Sequence, residues 1–165
     1  MNARVERLRA KLEEPLLVSD PANVRYLSGL SSSNAALLVD EERVQLFTDF
    51  RYAESARTVE GAEFVDAKRD LFQTLSELLS GPIGFEASSL SFERYSRLHA
   101  GGVEPVPRYG LVEELRAVKD DGELDAIRRA AALALDALTQ TMLNVAPGQT
   151  ELLIASRLEA ALRER

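Results

Sequence analysis

At 165 residues the chain amounts to roughly one domain of about 150 residues, and 45% apolar with 28% charged side chains excludes general disorder. Its 20 basic and 27 acidic side chains leave a net charge of −7, a field that repels nucleic-acid phosphates. The absence of cysteine excludes disulfides, thiolate metal sites and cysteine nucleophiles, and the single histidine, His99, excludes a His-rich metal centre.

Val5, Leu8 and Leu12 recur at helical spacing, with Asn2 as cap and Pro15 as stop, and predict an amphipathic opening helix. The segment Met1 to Leu12 interleaves charge with aliphatics and carries no secretory h-region. Leu16 to Val18 reads as a short buried strand closed by the turn signal Asp20-Pro21. A short helix over Asn23 to Gly29 follows, with Gly29 as its left-handed exit. Ala35 to Val39 and Arg43 to Thr48 form a hairpin around Asp40-Glu41-Glu42. Arg51 to Val59 reads as helix and Glu63 to Val65 as a brief strand.

Asp70 caps a helix carrying Leu71, Phe72, Leu75, Leu78 and Leu79, stopped by Gly81-Pro82. Ile83 to Phe85 is a strand. Ser91 caps a helix ending near His99, and Val103 to Val106 is a last strand closed by Pro107. This alternation predicts an α/β layer structure, and the hairpin makes its sheet mixed. From Leu111 onward no strand signal remains. Asp120 with Glu123 forms a capping box ahead of Leu124, Ile127, Ala131, Ala134, Leu138 and Met142. Pro147-Gly148 breaks that helix, and Thr150 caps a second one striped by Ile154, Leu158 and Leu162. Neither helix spans a membrane: the longest apolar run, Ala130 to Leu135, is six residues against the roughly 20 required. These features predict a soluble, cytoplasmic protein.

No residue cluster announces chemistry. His99, in Arg97-Leu98-His99-Ala100-Gly101, reads as a partner of its helix's C-terminal carbonyls. Asp120, Asp121 and Glu123 read as helix-opening acids rather than a cation site, and Glu113-Glu114 as a solvated face. Phosphate-cradling and nucleophile-elbow motifs are missing. The 17 arginines and three lysines are interleaved with acids, a pattern of solvated surface and ion pairs. The expected catalytic, cofactor-binding and metal-binding residue sets are therefore empty.

Several segments together resemble a known family. Asn23-Val24-Arg25-Tyr26-Leu27-Ser28-Gly29 after a short strand, then Phe47-Thr48-Asp49-Phe50-Arg51-Tyr52 with Glu54 and Ala56, look like the amino-terminal domain of Xaa-Pro aminopeptidases and prolidases, the creatinase-like pita-bread metallopeptidases. Gly84-Phe85-Glu86, Leu115-Arg116-Ala117-Val118-Lys119, Glu123, Ile127-Arg128, Ala130 and Pro147-Gly148-Gln149-Thr150-Glu151 continue the resemblance in order. In these motifs Asn23 is expected to make a local side-chain turn. Tyr26 and Leu27 are expected to pack under the sheet, Asp49 to cap the helix containing Tyr52, and Arg51 to pair with a neighbouring acid.

The resemblance implies a mixed-sheet, ribonuclease H-like amino-terminal domain over residues 1–110. Residues 111–165 would be a linker and the first two helices of a catalytic domain that continues past the last residue. It implies a homodimer in which this domain borders the partner subunit's active site, with the loop Leu30 to Asn34 as the contact by position. It also implies two divalent ions, manganese or cobalt, bound by two Asp, one His and two Glu, and proline-containing peptides as substrates. Those ligands lie beyond Glu151 in the family, so this chain alone is expected to be inactive and metal-free. Two alternatives stand beside this reading. One is a creatinase-type amidinohydrolase. The other is a free-standing assembly module that oligomerises through Leu124, Ile127, Leu138, Ile154 and Leu158.

Overall fold

A computed structural model describes residues 3–164. The chain forms two compact units, one through Ala117 and one from Val118, and each is described by itself.

The first unit is built on six strands: β1 (Leu16–Val18), β2 (Ala35–Val39), β3 (Val44–Thr48), β4 (Glu63–Asp66), β5 (Gly81–Glu86) and β6 (Val103–Arg108). They form one sheet in the order β4-β3-β2-β1-β5-β6. Strand β2 runs antiparallel to both neighbours, whereas β3–β4, β1–β5 and β5–β6 are parallel pairs. The mixed sheet expected from the hairpin is therefore present. Every residue of β1 and β2 is buried, as an apolar run covered on both faces requires.

Six helices cover the sheet: α1 (Ala3–Arg9), α2 (Pro21–Ser28), α3 (Ala53–Arg57), α4 (Leu71–Leu78), α5 (Phe92–Ala100) and α6 (Leu111–Ala117). Successive strand side chains alternate between faces, and the core divides accordingly. Leu16, Val18, Leu37, Val39 and Leu46 share a cluster with Val5 and Leu8 of α1, Val24 and Leu27 of α2, and Val112 of α6. Leu17, Ala36, Leu38 and Phe47 share the opposite cluster with Leu71 and Leu75 of α4 and Leu98 of α5. Each fully buried leucine contributes about 1.5–3 kcal/mol of apolar transfer, which holds both helix layers to the sheet. Tyr26 and Leu27 pack under the sheet as expected, and Gly29 ends α2 with φ +76°.

The second unit pairs α7 (Asp121–Leu143) with α8 (Glu151–Arg163). Asp120 and Glu123 form the expected capping box, and Thr150 Oγ1 accepts from Leu153 N. Ala137 and Thr141 are its buried residues.

Several expectations are corrected. Asp20-Pro21 does not end a strand in a turn but opens α2: Asp20 Oδ1 accepts from Ala22 N and Asn23 N, and Pro21 occupies the first turn, where no N–H is needed. Asn23, placed by sequence at the start of that helix, lies inside it with its side chain turned to a buried network. Gly81-Pro82 does not stop α4 but begins β5. Pro107 lies within β6, as does Pro105, because β6 is an edge strand and a proline nitrogen on its open side forfeits no ladder bond. The helix expected over Arg51 to Val59 contracts to α3, and its cap position is Tyr52 rather than Asp49. The opening helix ends at Arg9, and its expected cap Asn2 lies outside the described residues.

Candidate functional site

The motif Thr48-Asp49-Phe50-Arg51-Tyr52 leaves the end of β3 and meets the loop Leu30 to Asn34 that enters β2. Residues Ala35 and Thr48 are ladder partners, so the pairing register itself brings the two segments together. Asp49 is 1% exposed. A carboxylate so buried needs compensation, and it accepts four hydrogen bonds, one of them from the Arg51 backbone N–H to Oδ1 at 3.0 Å. Arg51 Nε donates to Oδ1 at 2.9 Å, Arg51 Nη2 to Oδ2 at 2.7 Å, and Asn34 Nδ2 to Oδ2 at 2.7 Å. The Arg51 fork, helped by Asn34, holds the Asp49 carboxyl well below the usual carboxylate range against the opposing effect of burial.

The loop is tied down further. Thr48 Oγ1 donates to Asn34 O at 2.7 Å, and Ser33 Oγ lies 3.0 Å from Tyr52 Oη. That hydroxyl contact holds the Tyr52 phenol below its ordinary value. The Arg51 guanidinium lies 5.3 Å from the Tyr52 ring centroid. Half of the Arg51 side chain stays open to solvent, and the neighbouring Phe50 is 72% exposed. The result is a pre-organised cation beside an exposed aromatic on a rim fixed by buried bonds. Such a rim can orient a carbonyl or carboxylate presented from outside. It contains no nucleophile paired with a base.

A second polar cluster joins three motif segments distant in sequence. Asn23, fully buried, donates through Nδ2 to Glu86 Oε1 and to Glu113 Oε1, each at 2.6 Å. Its Oδ1 accepts from Arg116 Nη1 at 2.7 Å. Glu86, 6% exposed at the end of β5, accepts through Oε2 from Ser19 N at 2.7 Å and Asp20 N at 2.8 Å. Burial raises the Glu86 carboxyl above its ordinary value, only partly offset by these donors, and the Glu113 charge adds to the rise. The sequence reading gives Asn23 a local turn, ends the strand at Phe85 with no role for Glu86, and puts Glu113 on a solvated face; Glu113 is indeed exposed, yet it also accepts from Asn23. The overlooked signal was a polar residue of each kind at the edge of an apolar run: Asn23 before Val24, and Glu86 after Ile83-Gly84-Phe85. Glu114 ion-pairs with Lys11 at 2.7 Å.

His99 stacks on Tyr95, with ring centroids 6.2 Å apart. Among the described residues there is no group of three or more His, Asp or Glu able to hold a metal ion. The described residues therefore do not fit the two-ion centre that the resemblance implies. No helix among them is long and apolar enough to cross a membrane.

An uncharacterized peptidase, YqhT, of Bacillus subtilis is 30% identical over 157 residues, covering 91% of this chain and 44% of that protein. The solved Xaa-Pro dipeptidase from Bacillus anthracis superposes with a TM-score of 0.89 at 27% identity, covering 98% of this chain and 48% of that one. The N-terminal domain of the cytoplasmic peptidase PepQ from Mycobacterium tuberculosis is 34% identical with a TM-score of 0.63, covering 70% of this chain and 99% of that domain. The chain thus spans about half the length of the full-length relatives it matches. Residues 4–118 match the creatinase/prolidase N-terminal domain, and the chain belongs to that family.

Proposed function

We propose that this chain is the amino-terminal, non-catalytic part of a metal-dependent Xaa-Pro aminopeptidase or dipeptidase. In this reading the enzyme is a cytoplasmic homodimer, and its divalent ions, manganese or cobalt, are held by residues outside this chain. The rim formed by Asn34, Asp49, Arg51 and Tyr52 borders the catalytic centre of the partner subunit and helps to orient a proline-containing peptide. The observation that carries the reading is the Asp49–Arg51 fork. A buried carboxylate fixes a guanidinium whose outer side stays exposed, an arrangement that costs more than a plain surface arginine and suits recognition of an outside group.

Sequencing the reading frame past the codon for Arg165 and assaying the encoded protein tests it. A following segment of similar length with Asp, Asp, His, Glu and Glu in that order, together with cleavage of Xaa-Pro dipeptides in Mn2+, supports the proposal. In that protein Arg51→Ala is expected to lower kcat/KM about tenfold or more without altering metal content. A stop codon directly after Arg165, or Xaa-Pro cleavage by the 165-residue chain alone, overturns it.

A second reading, a free-standing assembly module, draws on the exposure of Ile127 and Leu138 on α7, 52% and 45%. Sedimentation of Ile127→Glu and Leu138→Glu decides it: a defined oligomer lost in both variants favours the module, and a monomer unaffected by either removes it.

A further inference from the structure

We propose that the groove between the first turns of α4 and α5 binds a small organic or inorganic oxyanion through Arg69, Arg94 and Arg97. Neither the metallopeptidase reading nor the rim around Arg51 is needed for this inference. The groove has a volume of about 540 Å³, and Asn34, Asp70, Leu71 and Phe72 complete its lining with Glu93. Three guanidiniums in one depression are notable in a chain of net charge −7 with only 20 basic residues.

The three arginines are not equivalent. Arg97 donates from Nη1 to Asp70 Oδ2 at 2.8 Å and from Nη2 to Glu93 Oε1 at 3.0 Å, so its charge is matched and its position fixed. Arg69 and Arg94 have no carboxylate partner among the described residues. The Arg94 guanidinium carbon lies over Phe72, 4.6 Å from the ring centroid, and Phe72 is itself 5% exposed and held in the core. That stacking pre-organises the guanidinium while leaving its N–H donors for a ligand. Arg69 follows Lys68, a non-glycine residue held at φ +50°. This costly left-handed turn is anchored by Ala67 N donating to Thr48 O at 2.9 Å and Lys68 N donating to Asp66 Oδ1 at 2.9 Å, and it delivers Arg69 to the groove.

Two uncompensated guanidiniums flanking an apolar floor of Leu71 and Phe72 suit a carboxylate or phosphate group on a short stem. The two sources share one chemistry, forked N–H donation to paired oxygens. A neutral amide of the same shape forgoes the charge-assisted bonds and is excluded.

The test is a titration of the 165-residue chain with glutarate and, separately, with inorganic phosphate, followed by amide and guanidinium NMR shifts. Saturable shifts confined to Arg69, Leu71, Phe72, Arg94 and Arg97 are expected. Saturation by glutarate identifies a carboxylate ligand, and saturation by phosphate alone identifies a phosphate ligand. Glutaramide is expected to leave the spectrum unchanged. The double variant Arg69→Gln, Arg94→Gln, at two exposed positions, is expected to weaken binding at least about tenfold. Arg69→Lys with Arg94→Lys retains charge and is expected to bind between the two. Shifts that fail to saturate with either probe overturn the inference, as does equal affinity in wild type and a folded double-glutamine variant.

Discussion

Asn23 Nδ2 donates to Glu86 Oε1 across 2.6 Å, although the two residues lie 63 positions apart. The second proton of the same amide reaches Glu113, and its carbonyl oxygen takes a bond from Arg116, so α2, β5 and α6 meet at one carboxamide. All hydrogen-bonding capacity of the amide nitrogen is used, and its orientation is fixed because only Nδ2 can face two carboxylates. Asn23→Ala leaves Glu86 buried with one donor fewer and frees Arg116 and Glu113. We expect it to cost about 2–4 kcal/mol in urea unfolding. Asn23→Asp sets a third carboxylate between two others and is expected to cost more than alanine. The reverse order removes the bridge as the reason for an asparagine here.

Glu86 gives this network a pH signature. Its folded carboxyl titrates above the ordinary glutamate value because it is buried, so the native state holds a proton that the unfolded chain has released. The resulting stability is fully present below the ordinary glutamate range and is lost as pH rises through the raised value. Wild type is therefore expected to lose stability relative to Glu86→Gln over the interval just above that range. Denaturant midpoints of both proteins across weakly acidic to neutral pH check this, and parallel curves remove Glu86 as the source.

Much of this fold was legible in the sequence because its signals are local. The apolar runs of β1 and β2, the caps Asp70, Ser91, Asp120 and Thr150, and the exit at Gly29 each act within a few residues. Errors arose where tertiary position decides. Pro107 reads as a strand's end, yet an edge strand accommodates it within β6 as it does Pro105. Asp49 looked like a helix cap because aspartate commonly is one, but its side chain is claimed by Arg51 and Asn34. The Asn23–Glu86–Glu113 network was invisible for the same reason: each member has a bland local role, and only chain crossing brings them together.

The close approach of α4 and α5 is set by Gly101. A Cβ at this position would overlap the carbonyl oxygen of Ser76 and crowd Ser76 Cβ at 2.7 Å. The obstacle is backbone, which has no rotamer to yield, and φ at Gly101 is −80°, so strain in the residue itself is absent. Gly101→Ala is expected to cost about 1–3 kcal/mol through overpacking. Gly29→Ala provides the contrast: open space surrounds the added Cβ, and the φ of +76° alone imposes about 1–2 kcal/mol. Thermal melts of the pair, with Ser76 amide shifts as a local probe, should show displacement of Ser76 only in Gly101→Ala.

Asp49 responds to pH with the opposite sign from Glu86. Its folded carboxyl lies well below the ordinary aspartate value because the Arg51 fork favours the charged form. The stability this supplies is present above the ordinary aspartate range and is lost as pH falls through the depressed folded value. Asp49→Asn removes the charge, keeps the shape, and turns one oxygen facing the fork into an amide donor. It is expected to be clearly less stable than wild type at neutral pH, with the gap narrowing steadily as acid protonates the wild-type carboxyl. Arg51→Gln tests the same pair from the other side. It leaves a buried carboxylate with Asn34 and the backbone N–H of residue 51 as its donors, so its destabilisation should likewise shrink in acid. Equilibrium unfolding of all three proteins from neutral pH into the acid limb distinguishes the cases. A gap that stays constant with pH would mean that packing, and not the ion pair, holds the loop Leu30 to Asn34 against the end of β3.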